Sequence, residues 1–287
     1  MFLIFIDDLA PLLRSPSYIF ADDVKFVGKV GTNDLLRDIE TAVKWSDLWD
    51  LPLNLAKSHI LSSISGSLHV HTSVAQLEFS RVPKTRDLGI VMTSDYKCAE
   101  QCGAAAHRAR KELFRLKSVL SCRRPEVFVP LYRAIVRPHL EYCVQAWSPH
   151  YQKDVQLLEK VQRLATRMVE GQKGKDYNSR LKDLGLFSLA RRRLRGDLIE
   201  AFKIMKGLSG LKRESFFELA PTLGTRGHSM KLKKNRSRLL VRSTFFTRRV
   251  IDMWNKLPPD LVSRGTVASF KQGLDSRWQG LFPDVYP

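Results

Sequence analysis

The spacing of apolar residues changes character near residue 95. Before it, short β-prone runs alternate with turn residues. Ser17–Phe20, Val24–Val27, Ile60–Ile64, Ser67–Val70, Gln76–Phe79 and Asp87–Met92 predict strands. One helix interrupts them over Asn33–Trp49, with Leu35, Leu36, Ile39, Val43 and Leu48 as its apolar members and Thr32 or Asn33 as its cap. After residue 95 the helical period dominates. It predicts helices over Ala99–Leu120, Pro125–Val136, Leu140–Trp147, Lys153–Glu170, Ser188–Lys206, Thr244–Lys256 and Thr266–Trp278. Gly171–Lys175 and Gly207–Lys212 read as linkers, and Pro221–Arg242 as a longer irregular basic tract. The fold class is therefore α+β, with a strand-rich segment over 1–95 and helical segments over 96–170 and 171–287.

A chain of 287 residues that is 44% hydrophobic and 27% charged has a globular composition and can bury a large core. Its 48 Lys+Arg against 29 Asp+Glu give a formal charge of +19, a self-repelling surplus that calls for a polyanionic partner. The surplus is uneven. Residues 1–95 hold 9 basic and 12 acidic residues, which leaves a net +22 on residues 96–287. Four scattered cysteines point to a reducing compartment. The apolar run Met1–Ile6 stops at Asp7-Asp8, too short for a secretory signal, and no stretch approaches the roughly 20 apolar residues of a membrane span. The expectation is an intracellular protein, nuclear or cytoplasmic, with no membrane partner.

Phe20-Ala21-Asp22-Asp23 lies between two β-prone runs, at the turn of a hairpin. Adjacent carboxylates resist joint ionisation, and a divalent cation relieves the repulsion, as in two-metal phosphoryl transfer. An ordinary acidic turn is the plainer alternative, because Asp favours turns.

In the helical half, Lys153, Lys160, Arg163 and Arg167 fall on one helical face, and Val155, Leu158, Leu164, Ala165 and Met168 on another. Arg108, Lys111 and Arg115 repeat the arrangement. A basic stripe behind a core-facing stripe suits a phosphate backbone; a solvated face is the alternative for any single helix. Denser clusters at Arg191, Arg192, Arg193 and Arg195, and over Lys231–Arg238, read as nucleic-acid contacts or nuclear-localisation signals. Tyr132, Tyr142, Trp147, Tyr151 and Trp254 are candidates for base stacking, though Trp147 and Trp254 read better as core. Cys98, Cys102, His107 and Cys122 have no zinc-finger spacing. Gly-rich phosphate loops and nucleophile elbows are absent from the sequence.

Further strings sharpen the picture. They are Trp45, Leu53-Asn54-Leu55-Ala56-Lys57-Ser58 and Thr85-Arg86-Asp87-Leu88-Gly89-Ile90, then Leu131 to Tyr142, Glu159 to Thr166, Arg192 to Leu198, Thr225 to Ser229, and Phe245 to Pro258. With the Asp pair, they resemble the C-terminal part of a jockey-like non-LTR (LINE-type) retrotransposon reverse transcriptase, over essentially the whole chain. The resemblance implies a partial palm over 1–95, a helical thumb-like region over 96–170 and a basic helical C-terminal region over 171–287. It implies an RNA-directed DNA polymerase fragment whose partners are RNA and DNA as template and primer. Asp22 and Asp23 match the family's Mg²⁺ (or Mn²⁺) ligands, and Lys57 a lysine near the leaving pyrophosphate, where its proton could serve as a general acid. The family's fingers and a further catalytic Asp lie upstream of this hairpin, and here nineteen residues precede Phe20. The resemblance therefore implies inactivity without upstream polymerase segments. The alternative is a basic nucleic-acid-binding or interaction protein with no catalysis.

Overall fold

The structure is a computed structural model that describes residues 5–28, 33–63, 72–74, 77–221 and 227–282. The strand expected over Ser67–Val70 and the cap at Thr32 lie outside the described residues. The fold is α+β, and the chain divides into two compact units, residues 1–88 with 93–95 and residues 89–92 with 96–287.

In the first unit, β1 (Ser17–Phe20) and β2 (Asp23–Phe26) form an antiparallel hairpin with Phe20 opposite Asp23 and Ser17 opposite Phe26. Strand alternation turns Ile19, Val24 and Phe26 onto a small core of Ile6, Leu9, Ala42 and Trp45, and leaves Tyr18 and Phe20 exposed on the other face. The helix α1 (Asn33–Leu48) supplies Ala42 and Trp45 to that core. It also buries Asp38, whose carboxylate accepts hydrogen bonds from the backbone amides of Arg14 at 2.9 Å and Ser15 at 2.6 Å. That carboxylate fixes the chain just ahead of the hairpin. Strand β3 (His59–Leu61) pairs in parallel with β5 (Leu77–Val82), which pairs antiparallel with β4 (Thr72–Val74).

The single strand expected over Asp87–Met92 is instead two. Leu88 and Gly89 both take positive φ, +45° and +84°, and this tight turn separates β6 (Lys84–Asp87) from β7 (Ile90–Thr93). Successive positive φ values belong to primed hairpin turns, which glycine tolerates without a Cβ clash.

The second unit is helical. Its main elements are α2 (Ala99–Val119), α3 (Pro125–Leu131), α4 (Arg137–Glu141), α5 (Gln152–Met168), α6 (Tyr177–Asp183) and α7 (Leu189–Met205). They continue with α8 (Leu240–Thr244), α9 (Phe246–Arg249), α10 (Ile251–Asn255), α11 (Pro259–Val262) and α12 (Val267–Leu281). A π-turn at Tyr132–Val136 joins α3 to α4, and the Arg137 amide reaches back to the Tyr132 carbonyl. Pro138 explains it: proline offers no N–H and its ring crowds the carbonyl four residues earlier, so a wider turn relieves the clash.

The helix expected over Leu140–Trp147 does not form. Tyr142 leaves helical geometry, Cys143 has φ +51°, and the Trp147 indole closes the resulting turns by donating to the Tyr142 carbonyl at 2.7 Å. The helix expected over Thr244–Lys256 is broken, because Phe245 is extended and begins a new helix at Phe246.

Two apolar clusters fill this unit, one drawn from Ile90 to Leu189 and one from Leu198 to Phe282. Helix α7 supplies both. The border between them falls inside that helix, whereas the glycine-rich linker put it near residue 170. Ser188 caps α7 by accepting from the Arg191 amide, and the buried Glu159 carboxylate accepts from the Leu189 amide at 3.1 Å. Glu159 also accepts from the Tyr177 hydroxyl, while Gln162 joins the Tyr132 and Tyr177 hydroxyls at 2.8 and 2.9 Å. Burial pushes the Glu159 carboxyl up, against the pull of Tyr177 and the Leu189 amide.

Burial alone would raise the Asp38 carboxyl, but the hydrogen bonds from Ser15 and the Arg14 amide hold it below the ordinary range. A lowered carboxylate pKa stabilises the fold above the usual carboxylate range, and that contribution is lost as pH falls through the lowered value. Asp38→Ala leaves the buried Ser15 amide and the half-buried Arg14 amide without acceptors and is expected to cost about 2–4 kcal/mol, read as a lower midpoint in urea unfolding of the full chain. It should also flatten the acid limb of the stability curve.

Candidate nucleic-acid interface and carboxylate pair

Helix α5 separates its side chains as its sequence pattern requires. Leu158, Val161 and Ala165 are buried in the first core, while Lys153, Lys160, Arg163 and Arg167 are all exposed. At about 100° per residue the four cations span less than a quarter of the helix circumference. The Arg163 guanidinium lies over the Tyr177 ring at 4.3 Å, which holds it flat at the surface. On α2, Lys111 and Arg115 are exposed and Arg108 is half-buried, opposite the buried Cys102, Ala105, Ala109 and Leu113. Arg115 lies 3.6 Å from Glu112, an exposed pairing that is weak in water.

The Arg191–Arg195 cluster is placed differently. Arg192 clamps Glu141 through Nε and Nη2, the latter at 2.9 Å. Arg195 clamps Asp275 at 2.6 and 2.7 Å. Arg193 is buried, donates to the Leu140 carbonyl at 2.7 Å and lies over Trp147. Arg191 stacks on Phe187 at 3.6 Å and on Trp278 at 4.9 Å. These four arginines hold helices together. Arg193 is closed to any phosphate backbone, which corrects the expectation of a nucleic-acid contact at that residue. The physical reason is that α7 lies between two cores, so its charges must find protein partners.

Of the aromatic candidates, Tyr142 and Tyr151 are exposed. Tyr132 is not available to a base: it is buried and its hydroxyl is held by Gln162. Trp147 and Trp254 are core residues, the latter donating from its indole to the Met230 carbonyl at 2.9 Å. Lys233 and Lys234 of the basic tract pair with Glu218 and Asp252.

In the first unit, Ala21 and Asp22 make the two-residue turn of the β1–β2 hairpin, and Ala21 is held at φ +51°. A non-glycine residue there is strained. Asp22 and Asp23 are both exposed, Asp22 on the turn and Asp23 at the start of β2. Among the described residues, no group of three or more His, Cys, Asp or Glu side chains could hold a metal ion. Asp7 and Asp8 are exposed. Lys57 is exposed in a turn closed by its amide on the Asn54 carbonyl at 3.1 Å and by Ser58 Oγ on the same carbonyl at 2.9 Å. The donor set thus amounts to two adjacent carboxylates. A two-ion site needs bridging carboxylates from more than one strand, so the described residues do not assemble one.

No helix among the described residues is long and apolar enough to cross a membrane. Comparison with protein-family models, with curated proteins and with solved structures gives no match.

Burial pushes the Asp197 carboxyl up, against the pull of Arg249, whose guanidinium clamps it at 2.8 and 2.9 Å. Asp197→Ala leaves Arg249 as a half-buried cation without a carboxylate. The expected loss is about 3–5 kcal/mol of unfolding free energy in urea.

Proposed function

We propose that this chain binds RNA or DNA through its phosphates, as the thumb-bearing C-terminal part of a non-LTR retrotransposon reverse transcriptase. The observation that carries the reading is the stripe of four exposed cations on α5, on a helix whose opposite face is anchored in a core. A rigidly seated row of this kind loses little entropy on meeting a polyanion, and the neutralised phosphates release their counterions. The +22 charge of residues 96–287 extends the attraction beyond the stripe. Exposed Tyr142 and Tyr151 give flat faces on which unpaired bases could stack.

The palm part of the reading rests on the hairpin. Phe20-Ala21-Asp22-Asp23 forms a strained turn, and strain of this kind gathers at functional sites. A non-catalytic nucleic-acid-binding protein is the second reading, favoured by the missing third carboxylate among the described residues. On both readings the chain is nuclear or cytoplasmic, where its nucleic-acid partners are.

The logarithm of affinity for a single-stranded oligonucleotide should fall steeply with the logarithm of salt concentration. Changing Lys153, Lys160, Arg163 and Arg167 to Gln should reduce the magnitude of the slope by about 0.7 for each phosphate contact removed. A slope unchanged by all four substitutions sinks the interface.

Primer extension on an RNA template tests whether the chain polymerises on its own. The 287-residue chain alone is expected to give no templated Mg²⁺-dependent extension, because two adjacent carboxylates do not hold two ions in line. Extension that disappears on Asp22→Asn would instead establish the chain as a working polymerase.

A further inference from the structure

The helical unit contains a cleft of about 280 Å³ lined by Arg133, Arg137, Arg192, Arg195, Asp275 and Phe187. Its walls come from four separate places: the π-turn, the start of α4, the loop before α7, and α7 against α12. The guanidinium groups are oriented by the protein. Arg133 donates to the Gly185 carbonyl at 2.7 Å, and Gly185 can present that carbonyl because it sits at φ +58°. Arg137 lies 3.7 Å from Glu141, Arg192 clamps the same carboxylate, and Arg195 clamps Asp275.

Each clamp uses Nε and Nη2 and leaves Nη1, with two N–H donors, on the other edge of the fork. Four arginines against two carboxylates leave a net charge of +2. Burial, then the neighbouring charge of Arg192, pulls Arg137 below its ordinary pKa, which means that these two cations crowd each other. Glu141, which both approach, offsets part of this repulsion, and an anion in the cleft offsets more.

We propose that this cleft is a binding site for a phosphate monoester dianion. The charge of such a group matches the net +2, and its oxygens match guanidinium forks already fixed in place. The concave shape favours a terminal phosphate over a mid-chain phosphodiester, which is flanked by sugar on both sides. The volume is at the small end of ligand pockets, enough for the phosphate and the first group attached to it. Phe187 also lines the cleft, and its ring carries the Arg191 guanidinium at 3.6 Å. The cleft is distinct from the stripe on α5 and does not depend on the nucleic-acid reading.

Calorimetric titration of the full chain with inorganic phosphate, at constant ionic strength made up with chloride, is the primary test. One saturable site per chain at millimolar phosphate is expected. Arg133→Gln should weaken it about tenfold, the effect of losing one charge-assisted hydrogen bond, while Lys160→Gln should leave it unchanged. Arg133 is exposed, so its variant is expected to fold, with a thermal melt as the check; Arg137→Gln is the second variant.

A paired titration with a single-stranded oligonucleotide bearing a 5′-phosphate or a 5′-hydroxyl identifies the source. About tenfold preference for the phosphorylated end, lost in Arg133→Gln, assigns the site to polynucleotide termini. Phosphate binding without end preference assigns it to free or small phosphates. Absence of saturable phosphate binding, or binding unchanged in both arginine variants, overturns the proposal, and this result stands whether or not the α5 stripe binds nucleic acid.

Discussion

Helix α7 has to be buried on two sides, and its charges have to be neutralised where they lie. Leu189 belongs to the first core, and Leu198, Ala201, Phe202 and Ile204 to the second. Between them the helix carries Arg191-Arg192-Arg193-Leu194-Arg195-Gly196-Asp197. Unpaired charges at such depth cost several kcal/mol each. The surrounding elements supply Glu141, the Leu140 carbonyl, Asp275 and Arg249 in answer. Arg249 reaches past Asp197 to the Val144 carbonyl at 3.0 Å, so one guanidinium ties α7, α9 and the turns after α4. The position of those turns and of α12 follows from this pairing.

The same pairing creates the arginine cleft. A clamp that satisfies a carboxylate on one edge of a guanidinium presents the other edge in a fixed direction. Arginine can do both at once because its donors form a planar fork, which lysine lacks. Structural ion pairs and a ligand site are therefore not competing uses of Arg192 and Arg195. The α5 stripe is built differently. Its cations are exposed, and rigidity comes from the core beneath and from the buried network of Glu159, Gln162, Tyr132 and Tyr177. Such a network is stable only when every member is satisfied, and here the hydroxyls and amides close on one another.

In the first unit the balance is different. Its core is small, and Tyr18 and Phe20 lie exposed on the outer face of the hairpin. These two aromatics flank a turn strained at Ala21. Asp22 and Asp23 have an open position on and beside the turn.

Much was legible in the sequence. The helical period located α2, α5, α7 and α12, the alternation around Phe20-Ala21-Asp22-Asp23 located the β1–β2 hairpin, and the charge count separated an acidic segment from a basic one. These are local properties, set by neighbours within a turn or a strand. Basic spacing on α5 and α7 reads alike, yet one row is in solvent and the other is clamped. That outcome depends on Glu141 and Asp275, which lie 51 and 80 residues from their arginines. The break at Cys143 and the cleft with Arg133 and Arg137 likewise escape any local pattern. Periodicity along one chain determined which faces of each element are apolar; only the packing of distant elements decided which charges remained free to meet a partner, because burial is a property of the surroundings and not of the residue.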